Sequence, residues 1–151
     1  MNIEHKIIFS NKTNPLSEST IYSLEKLRLE ANNIDISTFP IQETYYFSNL
    51  KTNTYLIFTT YLENELVAAC YIKNTYNSLY IDQLFVKKEY QNSPYHFGSN
   101  LLKYILNHKQ LIEKYLNTSF TYSYLEPNNK TKNFYQSLGY QEKENLMRKH
   151  L

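Results

Sequence analysis

The run Ile81-Asp-Gln-Leu-Phe-Val86, the loop Lys87-Lys-Glu-Tyr-Gln-Asn-Ser-Pro-Tyr-His-Phe97 and the start Gly98-Ser-Asn-Leu-Leu-Lys-Tyr-Ile105 together decide the fold of this chain. The first part reads as a strand, the second as a polar loop, and the third as the beginning of an amphipathic helix. A strand feeding a loop and then a helix N-terminus is a natural anion site. The first-turn N–H groups lack helical partners, and the helix dipole adds roughly half a positive charge. Gly98 stands where the helix begins, and a missing side chain lets a phosphate approach the backbone. Lys87 and Lys88, at the loop entrance, offer further positive charge. Only one other glycine occurs in the 151 residues, Gly139, where average usage of roughly 7% would supply about ten. Both are expected where a side chain is least tolerated.

Working outward, Leu79 to Val86 is the last of three β-rich runs, after Thr54 to Leu62 and Leu66 to Asn74. The short connections Glu63-Asn64-Glu65 and Thr75-Tyr76-Asn77-Ser78 suit consecutive antiparallel hairpins. Glu4 to Ser10 reads as a first strand. Ser17 then caps a helix in which Ile21, Leu24 and Leu27 recur at helical spacing. Ile34 to Lys51, with Phe39-Pro40 and the cluster Tyr45-Tyr46-Phe47, is expected to be a loop and a short second helix. Downstream, Leu101, Leu102, Ile105, Leu106, Leu111, Ile112 and Tyr115 predict one amphipathic helix from Ser99 to about Tyr115.

Thr118 to Leu125 reads as a strand. Asn128 to Leu138 reads as a helix, introduced by Pro127 and closed by Gly139 in a left-handed cap. Tyr140 to about Met147 reads as the last strand. The order β-α-(α)-β-β-β-α-β-α-β implies an α/β fold (mixed α+β), with a mixed central sheet and helices on both faces. Residues 1–151 are expected to form a single domain.

Composition narrows the function. Hydrophobic content of 42% with 20% charged residues is ordinary for a globular chain,. A net charge of +2 is too small to argue for nucleic acid or acidic membranes. Cys70 is the only cysteine, which rules out an intramolecular disulfide and a cysteine metal cluster, and its apolar surroundings read as core. No stretch has the length of a signal peptide or a membrane span, so a cytoplasmic protein is expected. The four histidines, His5, His96, His108 and His150, show no ligand spacing, so no metal is expected,. Tyrosines interleave with lysines without any ribonucleoprotein-type signature, and such tyrosines are mostly sheet or core residues.

Val86-Lys-Lys-Glu-Tyr-Gln91, ending in Gly98-Ser-Asn-Leu-Leu102, resembles the central motif of the GNAT superfamily of N-acetyltransferases. There a strand ending in Val is followed by Arg/Gln-x-x-Gly-x-Gly/Ala and a helix with Leu-Leu. A second family motif, Asn-x-x-Ala-x-x-Phe-Tyr-x-x-x-Gly-Phe, is matched by Asn128, Thr131 at the Ala place, Phe134, Tyr135, Gly139 and Tyr140. Leu66-Val-Ala-Ala69 is similar to the family's Val-Gly strand, with Ala68 at the Gly place. The resemblance covers roughly Tyr55 to Met147, and the element order is the family's too.

The resemblance implies an acetyl-coenzyme A site, with acetyl-CoA as cosubstrate, and transfer of acetyl to a primary amine in a ternary complex. By position it assigns the pantetheine arm to Leu84, Phe85 and Val86, between splayed fourth and fifth strands. It assigns the pyrophosphate to the loop from Gln91 and Asn92 through His96, Phe97 and Gly98, and to Ser99. It brings Asn128 to the coenzyme as well.

Tyr135 matches the family tyrosine that protonates the leaving thiolate; the alternative reading is a core aromatic of its helix. Asp82 stands where members place an acid that deprotonates the amine. Alternation puts it on the side of Leu84 and Val86, and the alternative is a solvated strand-end acid. The acceptor, a small-molecule or peptide amine, is expected over Phe39 to Leu50. Neither nucleic acid nor a membrane is an expected partner, and a homodimer is left open.

The loop departs from the family pattern. It is about two residues longer, His96 stands where the first glycine belongs, and Pro94 donates no N–H,. His96 is either a phosphate contact or an exposed loop residue. The departure keeps a second function open: a catalytically weakened acyl-CoA-binding or protein-interaction module on the same fold.

Overall fold

The computed structural model describes all residues except Met1, Lys12, Asn53, Tyr76 and Asn77, and of Asn74 only the backbone. The middle of the Thr75–Ser78 connection therefore lies outside the described residues. A seven-stranded sheet runs in the order β1-β2-β3-β4-β5-β7-β6. Its strands are β1 (Ile3–Ser10), β2 (Tyr55–Leu62), β3 (Glu65–Thr75), β4 (Ser78–Val86), β5 (Tyr122–Leu125), β6 (Gln141–Lys143) and β7 (Leu146–His150). All neighbours are antiparallel except β4 and β5. The helices are α1 (Glu18–Ala31), α2 (Tyr45–Thr52), α3 (Phe97–Asn107), α4 (Lys109–Leu116) and α5 (Lys132–Ser137). This is the α/β architecture expected, with helices on both faces.

Ser17 caps α1, its side chain accepting from the Thr20 N–H. Ile21, Leu24 and Leu27 are buried with Tyr46, Phe47, Leu50, Ile57, Tyr71 and Phe85, forming the core beneath α1 and α2. The other face carries Phe58, Cys70, Ile72, Leu79 and Ile81 against Leu101, Leu102, Ile105, Ile112 and Tyr135. Period-two alternation in the central strands supplies both cores at once.

The second half departs from the expected elements in four places. The single helix from Ser99 to Tyr115 is two, α3 and α4, broken at His108. There the His108 Nδ1 lies 2.7 Å from the Tyr104 carbonyl oxygen, a side-chain contact that competes with the backbone ladder. The strand from Thr118 is shorter because Asn117 turns left-handed at φ 53° and Glu113 accepts from the Phe120 N–H.

The helix from Asn128 starts late, because Asn128 Oδ1 accepts from the N–H groups of Lys130 and Thr131 and holds a turn. The last strand is a hairpin, β6 and β7, turning at Glu144 with φ 57°. β7 enters between β5 and β6.

One irregularity positions the site. In the β3–β4 ladder Tyr71 faces Gln83 while Ile72 faces Ile81, so Asp82 is an extra residue in β4. Such a bulge bends its strand and resets its alternation. β4 pairs with β5 only over Leu79, Ile81 and the residue between them. Beyond the bulge β4 runs on to Val86, while β5 stops at Leu125, two residues before Pro127. The two strands part at Asp82.

Candidate active site

The gap between β4 and β5 opens into a cavity of about 710 Å3. Its lining includes Leu84, Phe85, Val86, Gln91, Asn92, His96, Phe97, Gly98, Ser99, Asn128 and Tyr135. These are all the residues expected at the coenzyme, together with the expected acid. Asp82 is not among them.

The contributions differ residue by residue. The Phe85 ring turns away to pack edge-on against Tyr71 at 5.3 Å, which leaves its backbone for the cavity. Leu84 and Val86 pack against the α3 face of the core. Past Ile81, β4 has no partner on the β5 side, so this strand edge presents backbone polar groups to whatever enters. Gln91 closes the corner: its Nε2 donates to the Val86 carbonyl at 2.9 Å and to the Ala31 carbonyl at 3.1 Å. One side chain thus ties the loop to the end of β4 and to the end of α1.

His96 resolves the missing glycine. It adopts φ 51° and ψ 44° at the start of α3, the left-handed region, and its side chain makes no capping hydrogen bond. The turn that glycine makes freely is made here by histidine, at a cost of about 1–2 kcal/mol. Among the described residues the N–H groups of Phe97, Gly98 and Ser99 find no acceptor, so the first turn of α3 faces the cavity with free donors.

Tyr90, Tyr95 and Phe97 pack ring on ring beneath the loop, Tyr95 and Phe97 stacked at 5.0 Å. That aromatic knot holds a loop too long for the family pattern.

The charge of the cavity suits an anion. Lys130 lines it, and no carboxylate does among the described residues. Lys87 and Lys88 do not reach it: Lys87 is engaged by Glu65 and Glu89 on the outer side. Lys130 was missed from the sequence because its place on the wall depends on the Asn128 turn, which brings Asn128, Lys130 and Thr131 to the cavity. Asn32, Asn33 and Tyr90 were missed too. Nothing in the α1 sequence announces that its C-terminus meets the loop.

Tyr135 is 7% exposed. Its ring packs on Phe134 and Tyr140, at 5.0 and 5.6 Å. Its hydroxyl has no hydrogen-bond partner among the described residues. Burial, reinforced by the Cys70 thiol and the Tyr140 phenol, pushes the Tyr135 phenol far above the ordinary tyrosine value.

Asp82 faces another group. Its Oδ2 accepts from the Tyr55 hydroxyl at 3.1 Å, and Tyr55 belongs to the core on the α1 side. Simple alternation would put Asp82 beside Leu84 and Val86; the bulge breaks that parity. Tyr46, next to it, accepts from Gln83 Nε2 at 3.1 Å. Burial and the Asp82 charge push both phenols up. Beneath them Glu25, fully buried, accepts from Arg28 at 2.8 and 2.9 Å, from Thr44 at 2.6 Å and from Tyr71 at 3.0 Å. Fully partnered in this way, the carboxylate locks α1 to β3 and to the start of α2.

Residues 53–142 match the model of the acetyltransferase (GNAT) domain, and the chain belongs to that family. No curated protein matches the chain in sequence. Among solved structures it is similar to the PaiA N-acetyltransferase of Thermoplasma acidophilum, which was determined in complex with coenzyme A. That match has 17% identity and a TM-score of 0.69 over 100% of both chains. ElaA of Escherichia coli is similar at 19% identity and a TM-score of 0.65, over 97% of this chain and 100% of that one. The ribosomal-protein-S18-alanine N-acetyltransferase of Escherichia coli matches at 16% identity and 0.63, over 97% and 94%. At these identities the neighbours bear on the fold, which is the GNAT fold.

Proposed function

We propose that this protein transfers an acetyl group from acetyl-CoA to a primary amine in a ternary complex. The observation that carries the reading is the cavity where β4 and β5 part, because it joins three features an acyl-CoA needs. An unpaired strand edge at Leu84 to Val86 can pair with the pantetheine amides. Free N–H groups at Phe97, Gly98 and Ser99 can take the pyrophosphate,. A buried phenol, Tyr135, lies on the same wall. The reading takes the chain as one domain working in the cytoplasm on a small-molecule or peptide amine. A homodimer is compatible with it.

In the reaction the amine nitrogen bonds to the acetyl carbon and the carbon–sulfur bond breaks. Asp82, through a water, takes the amine proton, and backbone near Val86 polarises the thioester carbonyl. Tyr135 donates its proton to the departing sulfur. The burial that raises the phenol also makes a desolvated thiolate more basic, so the two remain matched. The acceptor enters along Phe39 to Leu50, where Phe39 and Tyr45 are exposed. The left-handed turn at His96 supplies the shape that the missing glycine would have given, so the altered loop does not favour a binding-only module.

The test is thiol release from acetyl-CoA against a panel of primary amines, with Tyr135→Phe as the informative variant. The expected result is a kcat about 100-fold lower with little change in KM for acetyl-CoA. Because the Tyr135 pKa is raised, its protonated, active form persists as pH rises past the ordinary tyrosine value near 10,. The deficit should therefore be equal at pH 7 and at about pH 10.5, past that ordinary value. Unchanged turnover in the variant removes Tyr135 from the mechanism. Failure of every amine to release thiol, with coenzyme still bound, leaves a binding module.

A further inference from the structure

The carboxylate at the bulge already holds an ammonium from its own chain. Lys73, on β3, places Nζ 3.8 Å from Asp82 Oδ2 and 5.4 Å from the centre of the Tyr80 ring. The same oxygen accepts from the Tyr55 hydroxyl at 3.1 Å. The Tyr46 hydroxyl, which accepts from Gln83, lies near enough that the Asp82 charge helps to raise its phenol. Asp82 is 14% exposed and Lys73 36%, so the cup is closed by tyrosines behind and by the lysine in front. A carboxylate beside an aromatic face is the pairing that selects a compact alkylammonium. Tyr45, 64% exposed, leans edge-on against Tyr46 at 5.1 Å and continues an apolar surface outward.

The cup also stands a short step along β4 from the cavity, which Leu84 lines. Asp82 is the residue at which β4 leaves β5, and it stands roughly 6–7 Å along the strand from Leu84.

Resting on the acetyl-transfer reading, we propose that Lys73 is an intramolecular stand-in for the acceptor. The cup beside Asp82 takes an unbranched primary alkylammonium, and Lys73 competes with it for the carboxylate. Lys73 thereby sets acceptor specificity: an incoming amine must displace a side chain of its own kind. The displacement is easy, because a contact as long as 3.8 Å with a lysine 36% exposed holds by no more than about fivefold in an equilibrium constant. A hindered α-amine, bulkier at its nitrogen than the lysine it would replace, gains nothing from the displacement.

The test is calorimetric titration of CoA-loaded protein with 1,5-diaminopentane, with Nα-acetyl-lysine methyl amide, and with alanine amide. K73M should bind the two unbranched ammonium ligands about fivefold more tightly than the parent, and alanine amide no better. K73R, which keeps the competitor, should bind as the parent does. In a D82N background the gain from K73M should vanish. Stronger binding of the diamine would identify a free amine as the acceptor, and stronger binding of the lysine amide a peptide side chain; either supports the class.

Equal affinities in the parent and K73M overturn the proposal. So does a gain that persists with D82N, which would mean a general charge effect, or an equal gain for alanine amide. Because the readout is binding, absence of thiol release would sink the transfer reading alone and leave the competition at Asp82 decided.

Discussion

Gly139 and Gly98 start from the same rarity and end in opposite circumstances. Gly139 sits at φ +93° just past α5. The Tyr140 N–H reaches back to the Tyr135 carbonyl at 3.1 Å, and the Gly139 N–H reaches the Gln136 carbonyl at 3.1 Å. That pair of bonds is a Schellman cap, which wants glycine at its left-handed position. Lys149 adds a bond to the Leu138 carbonyl at 2.7 Å and would lie 3.2 Å from an added Cβ. Gly98 has no positive φ. A Cβ there would meet Phe134 and Val86 at 3.5 Å, ordinary contact. The fold demands one glycine and tolerates replacement of the other. The added Cβ would face Phe134 and Val86, both on the cavity wall, so under the proposed acetyl transfer the reason for Gly98 is a ligand.

The largest effect that would break this contrast belongs to Gly98→Ala. Alanine in the first turn should stabilise the fold by about 0.5–1 kcal/mol while its methyl displaces a phosphate from the free N–H groups. The dissociation constant of coenzyme A should rise about tenfold, roughly 1.4 kcal/mol, as the Tm rises slightly. Isothermal titration and a thermal melt of one sample decide it. Coenzyme affinity unchanged beside a higher Tm would remove the ligand from the explanation.

Gly139→Ala should do the reverse. Left-handed backbone costs an L-residue about 1–2 kcal/mol, and for a chain of this length that lowers the Tm by a few degrees. Coenzyme affinity should stay within about twofold, because the cap lies behind Tyr135 and away from α3. A larger loss of affinity would mean that the cap also sets the position of Tyr135 or Asn128.

The contrast also explains what the sequence could show. The order of the main strands and helices, both faces of the core and the residues that line the cavity were legible, because they rest on local periodicity and on two motifs that stand in the expected order. The β4 bulge was not. No residue type marks Asp82 as the extra one, and the mismatch exists only against Tyr71 and Ile72 on the neighbouring strand. The break at His108 and the β6–β7 hairpin were illegible for a similar reason. Each depends on a left-handed or side-chain-bonded residue that is not glycine, and the usual glycine signal for such a turn is missing. The Glu65 pairing that helps keep Lys87 away from the cavity is long-range as well.

His96 carries the contrast between the two glycines into one residue, since it has the backbone of Gly139 and the location of Gly98. Substituting glycine should relieve about 1–2 kcal/mol of left-handed strain and restore about 0.5–1 kcal/mol of unfolded-chain entropy against it. The net is a gain near 0.5–1 kcal/mol, the smallest effect of the set, read as a small rise in Tm. The coenzyme result is the sharper half. If backbone N–H groups do the binding, His96→Gly leaves the dissociation constant within about twofold, since the turn they hang from is kept. If the imidazole itself touches phosphate, affinity falls about tenfold, roughly 1.4 kcal/mol. The first outcome makes the unusual loop a different route to the same backbone cradle. The second makes histidine a replacement ligand, and the absent glycine a change of chemistry as well as of shape.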